Sequence, residues 1–135
     1  MQLTTAMLAD AAQVMGGKLF VLGGGIDTIK AAKFPVIHRA LTVAMVAEVS
    51  PDERQRYLDI SIDLFDEDGR DLGVHATGSL MVGAPRELPP GATSVVPLAS
   101  EFHNITFPEP KGYTFIVSVE GAELARVRFW VVPVD

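Results

Sequence analysis

Few side chains in this chain of 135 residues have the means to do chemistry, and none stands in a pattern that a known reaction requires. The three histidines, His38, His75 and His103, form no H-x-H or H-x-x-x-H pair, the spacings that put two imidazoles on one metal ion. Asp66-Glu67-Asp68-Gly69-Arg70-Asp71 carries the oxygens that a hard cation such as Ca²⁺ takes, with Asp66, Asp68 and Asp71 as candidate ligands. The run lacks the register and closing glutamate of an EF-hand loop. Asp and Gly also suit plain turns, so a solvated hairpin is the simpler reading. Asp59 and Asp63 could serve as paired acids in hydrolysis. On one strand they stand ~13 Å apart at ~3.3 Å per residue. That exceeds the ~5–9.5 Å between glycosidase carboxylates. A Ser79–His75 arrangement has no G-x-S-x-G elbow to present the serine. Gly23-Gly24-Gly25 invites a phosphate loop, but Thr28 stands where the third glycine of G-x-G-x-x-G belongs, and no Lys-Ser/Thr follows. A tight glycine turn explains it better. With no cysteine, a disulfide framework, an iron–sulfur site and a thiol nucleophile are absent together. No catalytic residue and no cofactor is assigned.

The elements that must hold these groups are strands. Val, Ile and Thr make up 31 of the 135 residues, and β-branched side chains favour a pleated, half-buried surface. Leu58, Ile60, Ile62 and Leu64 alternate with Asp59, Ser61 and Asp63, the period of a strand with one wet face. Leu41, Val43, Met45, Ala47 and Val49 point inward in the same way, with Thr42 and Glu48 outward. Leu72, Val74, Ala76, Leu80 and Val82 face away from His75, Thr77 and Ser79. Tyr113, Phe115, Val117 and Val119 alternate with polar residues, and Ala125, Val127, Phe129 and Val131 alternate with Arg126 and Arg128. Residues 18–22 read as a short buried strand. Residues 3–15 fit either a helix or a strand, and a strand is the reading adopted. Asp68-Gly69 and Glu120-Gly121 sit where hairpins turn. Ser50-Pro51-Asp52 and residues 85–91, with Pro85, Pro89 and Pro90, read as loops.

The pattern predicts a single domain over residues 1–135: an all-β, antiparallel β-sandwich of eight or nine short strands. Tyr113 opens a strand after the corner Phe107-Pro108-Glu109-Pro110-Lys111-Gly112, which resembles the tyrosine corner of immunoglobulin-like sandwiches. The core should include Leu58, Ile60, Ile62, Val117, Val119 and Phe129.

Charge excludes some partners. The chain carries 17 acids against 11 Lys and Arg, a formal net charge of −6. Six acids and Arg70 alone fall within residues 59–71, so the remainder is close to neutral. Arg54 and Arg56 are the densest basic pair, and they sit beside Asp52 and Glu53. Nucleic-acid binders present a basic face that releases phosphate counterions, so neither nucleic acid nor an anionic membrane is expected as a partner. Mean hydropathy is +0.27, but no apolar run approaches the ~20 residues of a membrane span. The first ten residues lack a basic start and Asp10 interrupts them, so a cytoplasmic protein is expected.

Leu8-Ala9-Asp10-Ala11-Ala12, Gly17-Lys18-Leu19 and Leu22-Gly23-Gly24-Gly25-Ile26-Asp27 together form an opening pattern. Leu88-Pro89-Pro90-Gly91, Gly112-Tyr113 and Gly121-Ala122-Glu123-Leu124-Ala125 follow later. In these segments the chain resembles an uncharacterised family of small, single-domain bacterial proteins. The resemblance implies no assigned activity and no catalytic residues. It draws attention to Asp10 and to the turn at 23–27.

Four apolar residues fall on outward phases: Met81, Ile116, Trp130 and Val132. Either a second layer covers them or they form a patch for another subunit. Ile116, Trp130 and Val132 are the candidate interface, for a protein partner or for a homodimer that keeps the acidic turn in water. The function expected is therefore a non-enzymatic binding or interaction module. The alternative is a hydrolytic or metal-dependent enzyme whose site assembles from separate loops.

Overall fold

Alternating apolar and polar residues become nine strands in the computed structural model, which describes residues 1–83 and 87–134. They are β1 (Gln2–Met15), β2 (Lys18–Gly24), β3 (Thr28–Ala31), β4 (Val36–Val49), β5 (Tyr57–Asp66), β6 (Asp71–Met81), β7 (Ser94–Phe107), β8 (Lys111–Val119) and β9 (Ala122–Pro133). A 3₁₀ turn, Pro51–Glu53, joins β4 to β5. Of the loop expected over 85–91, Pro85 and Arg86 lie outside the described residues.

Two sheets share one core. The first is antiparallel, in the order β2-β1-β4-β7. The second has the order β3-β9-β8-β5-β6 and is mixed, because β3 runs parallel to β9. The expected all-antiparallel arrangement is thus corrected at one pair. A tight hairpin can only join antiparallel neighbours. β3 instead arrives from the other sheet through residues 25–27 and joins the free edge of β9. The strands are also not uniformly short: β1, β4 and β7 each run 14 residues.

Local chemistry sets the turns. Gly16 and Gly17, at φ 59° and 75°, close the β1–β2 hairpin, and Glu120 and Gly121, at 52° and 79°, close β8–β9. Both pairs take the positive φ that a two-residue hairpin needs. Residues 3–15 are strand despite their alanines. Helix propensity differs by only ~0.7 kcal/mol among ordinary residues, and β1 gains ladders on both sides, from β2 and β4.

The core is built where the sheets face each other. Phe107 meets Tyr113 and Phe129 edge-on at 4.8 and 5.7 Å, and Phe115 stacks on Phe129 at 5.8 Å. Phe102 lies 5.1 Å from Phe115. These rings tie β7 of one sheet to β8 and β9 of the other. Leu58, Ile62, Val117, Val119 and Phe129 are buried as expected.

Three burial expectations are corrected. Ile60 is only half-buried, because its partner on β6 is Gly78, which contributes no side chain to cover it. Residues 18–22 are not a buried strand: β2 is an edge, and Phe20 and Leu22 are 49% and 73% exposed. Thr42 is fully buried rather than wet, since β4 lies between β1 and β7 and places it between Ala9 and Glu101.

Candidate binding face

The outward side of the five-stranded sheet carries the most developed site. Along β9, Arg126, Arg128 and Trp130 project from alternate positions and share one face. Their partners on β8 are Ile116, Thr114 and Gly112. One strand further, Asp63 lies opposite Ile116, and Phe65 lies opposite Thr114. The result is a groove of about 520 Å³, walled by Phe65, Ile116, Arg126, Arg128 and Trp130 and ended by Glu67 and Gly69.

Gly112 shapes the floor. A Cβ built there would stand 3.2 Å from Cζ3 of Trp130 and 3.4 Å from Cε3. The indole therefore lies across bare backbone, 54% exposed. Arg126 is held by Glu123, through Nε–Oε2 at 2.8 Å and Nη2–Oε1 at 3.0 Å, and each partner favours the other's charged form. Arg128 has no ion-pair partner among the described residues and is exposed.

Ile116 and Trp130 meet in this groove. Val132 does not line it; it is half-buried and pairs with Lys30 of β3. Met81 lies at the end of β6, away from the groove. The acidic turn is not remote from Trp130, because Glu67 and Gly69 close one end of the same groove. The spacing Arg126-x-Arg128-x-Trp130 was the signal for it, since period two puts all three on one side. Phe65 was hidden, because only the β5–β8 register brings it there.

The acidic turn is less solvated than its composition implies. Asp66 is buried, and its Oδ1 accepts the backbone N–H groups of Asp68 and Arg70, each at 2.9 Å. Its Oδ2 accepts the ammonium of Lys111 at 3.1 Å, and Lys111 also reaches Asp68 at 3.2 Å and Glu109 at 3.4 Å. Asp71 accepts the N–H of Gly73 at 2.7 Å. Asp66 and Asp68 thus converge on a cation of the chain's own, while Asp71 is turned away to a local turn. The N–H of Arg70 and the Lys111 ammonium hold the Asp66 carboxyl below the usual carboxylate range, and Asp66 and Asp68 in turn push Lys111 upward.

The other candidates stay apart. Asp59 accepts Ser79 Oγ at 3.0 Å, and His75 lies opposite Asp63. His103 is 3.5 Å from Glu101, with both side chains more than half exposed. Gly23 has φ 61°, and Asp10 leans over its α-carbon, so the carboxylate fills the space a side chain would need. Asp10 and the glycine turn are neighbours. The N–H of Ile26 and the C=O of Asp27 then bond Leu8 and Trp130, which anchors the crossing between sheets. Tyr113 donates its hydroxyl to the Glu109 carbonyl at 2.6 Å and ties down the corner before β8, while burial raises its phenol pKa.

Fold and groove define a two-sheet, all-β domain with an aromatic and cationic face. The chain belongs to the family of unknown function DUF6941, whose model matches residues 4–132. No curated protein matches it. Among solved structures it is similar to the alkylpurine DNA glycosylase AlkC of Pseudomonas fluorescens, bound to DNA containing an abasic site analog. That match has 16% identity and a TM-score of 0.41, and covers 94% of this chain and 30% of that one.

Proposed function

We propose that the chain is a non-enzymatic binding module that meets a protein partner on the outer face of its five-stranded sheet, and that this partner is a second copy of itself. The observation that carries the reading is the groove, where exposed Trp130 and half-buried Ile116 and Phe65 line one hollow together with Glu67 of the acidic turn and with Arg128, which has no ion-pair partner among the described residues. Its lining carries both signs, with Arg128 on β9 and Glu67 in the acidic turn. A two-fold axis that sets Arg128 of one copy toward Glu67 of the other makes the interface self-complementary, and it brings the acidic turn to the interface instead of leaving it in water as expected from the sequence. Burying an exposed large apolar side chain is worth ~1.5–3 kcal/mol, which favours covering Trp130.

We infer also that the two sheets follow an immunoglobulin-like plan. β4 is flanked by β1 and β7, and β8 by β5 and β9, the neighbours that strands B and F have in such domains. Tyr113 stands at the start of the strand in the F position.

The rival, an enzyme with a site assembled from separate loops, calls for a histidine and an acid in a cavity. Among the described residues, no histidine lines the groove or the two smaller hollows near β6. Light scattering tests the proposal. The wild type should give a dimer mass and Trp130→Glu a monomer with an unchanged circular dichroism spectrum. A monomeric wild type, or dimers of both proteins, rejects it.

A further inference from the structure

β6 ends the five-stranded sheet and β7 ends the four-stranded one, so one side of the molecule presents two strand edges. Between them the core is open. A hollow of about 210 Å³ is lined by Met45, Ile60, Ile62, Leu80 and Leu98, and it reaches Gly78. Gly78 sits on the inward phase of β6 opposite Ile60, and a Cβ there would meet nothing within 4 Å. One side chain is missing from the inner layer of an edge strand. The outward side of the same spot has a second hollow, of about 360 Å³, lined by Ser61, Thr77 and Ser79 and holding the Asp59 carboxylate.

These features define the occupant. The inner hollow is below the ~300–1,000 Å³ of small-molecule pockets, but it has room for one or two large side chains. Among the described residues β6 has a ladder on one side only, and the N–H and C=O groups along its other edge are a template for an added strand. Successive residues of a strand point to opposite faces. An apolar residue dropped into the inner hollow therefore sends its neighbour toward the outer one, where Asp59 favours a cation. Asp63 and Asp71 add negative charge on the same face.

We propose that β6 accepts an extended segment of a partner protein, in which a large aliphatic residue fills the place of the missing side chain at Gly78 and adjacent Lys or Arg residues face Asp59. This site is distinct from the Trp130 groove and goes beyond the proposed dimer.

The probe is an acetylated, amidated ten-residue peptide of alternating leucine and lysine, titrated calorimetrically and followed by amide hydrogen exchange. Binding should protect amides along β6. Gly78→Leu fills the hollow from within, so it should weaken binding about tenfold or more, as removing an anchor pocket does. The same variant should raise the melting temperature, because Gly78 has an ordinary φ and gains apolar contacts. Asp59→Asn should weaken binding several-fold, and Trp130→Glu should leave it unchanged, which separates this site from the dimer face. The proposal is overturned by any of three results: no binding, equal binding of a peptide with the leucines and lysines in two blocks, or unchanged affinity in Gly78→Leu. Concentration-dependent protection of β6 without peptide would identify a second copy as occupant and would also overturn it.

Discussion

At the scale of single residues, Asp66 and Lys111 decide how the acidic turn responds to pH. The Arg70 N–H and the Lys111 ammonium depress the Asp66 pKa, and an unfolded Asp titrates at about 3.9. A group depressed on folding contributes stability above its unfolded pKa and loses it as pH falls through the folded value. Lys111, raised by the same contacts, contributes below its unfolded value of about 10.4 and loses that as pH rises through the folded one. Asp66→Asn should therefore melt below the wild type at pH 7, and the gap should close as pH falls below about 4. Melting curves from pH 7 to pH 2 check this; a gap independent of pH would show that the Asp66 charge contributes nothing, and no gap at all would show that the turn is held by its backbone alone.

At the scale of elements, the β8–β9 ladder places Gly112 under Trp130, and that pair sets the shape of the groove. A methyl group at 112 would press on the indole ring at 3.2 Å, closer than nine in ten real Cβ contacts. Gly112 is not at positive φ, so alanine adds no backbone strain there. Gly112→Ala should then lift the indole off the strand while the ladder persists. Trp130 is the sole tryptophan, so its emission should move to longer wavelength as the ring becomes more hydrated. An unchanged spectrum would mean the ring accommodates the methyl by a smaller shift.

At the scale of the whole molecule, five aromatic rings from β7, β8 and β9 join two sheets that, among the described residues, exchange no backbone ladder. Phe129 touches three of the others, at 5.7, 5.9 and 5.8 Å from Phe107, Tyr113 and Phe115. Phe129→Ala removes buried surface and leaves a cavity between the sheets, at a cost of ~3–5 kcal/mol. The melting temperature should fall by on the order of 10 °C. A melt within a degree or two of the wild type would show that the sheets are held elsewhere.

Period-two alternation is a local property, and it was enough to identify β5, β8 and β9 and to separate their buried and wet sides. Positive-φ turns are local too, and Glu120-Gly121 marked its hairpin. The doublet Gly16-Gly17 carried the same signal for β1–β2. Which strands become neighbours is not local. The parallel contact of β3 with β9, the exposure of β2, the burial of Thr42 and the half-burial of Ile60 all depend on what lies on the far side of a strand, and the chain's alternation is silent about that. The groove shows both kinds of information. Arg126, Arg128 and Trp130 share a face by spacing alone, whereas Phe65, Gly112 and Glu67 join them only through the register of β5 on β8 and β8 on β9. The turn at 66–71 divides in the same way. Composition marked it as acidic, but only folding brought Lys111 from 45 residues away to occupy the place a metal ion would take.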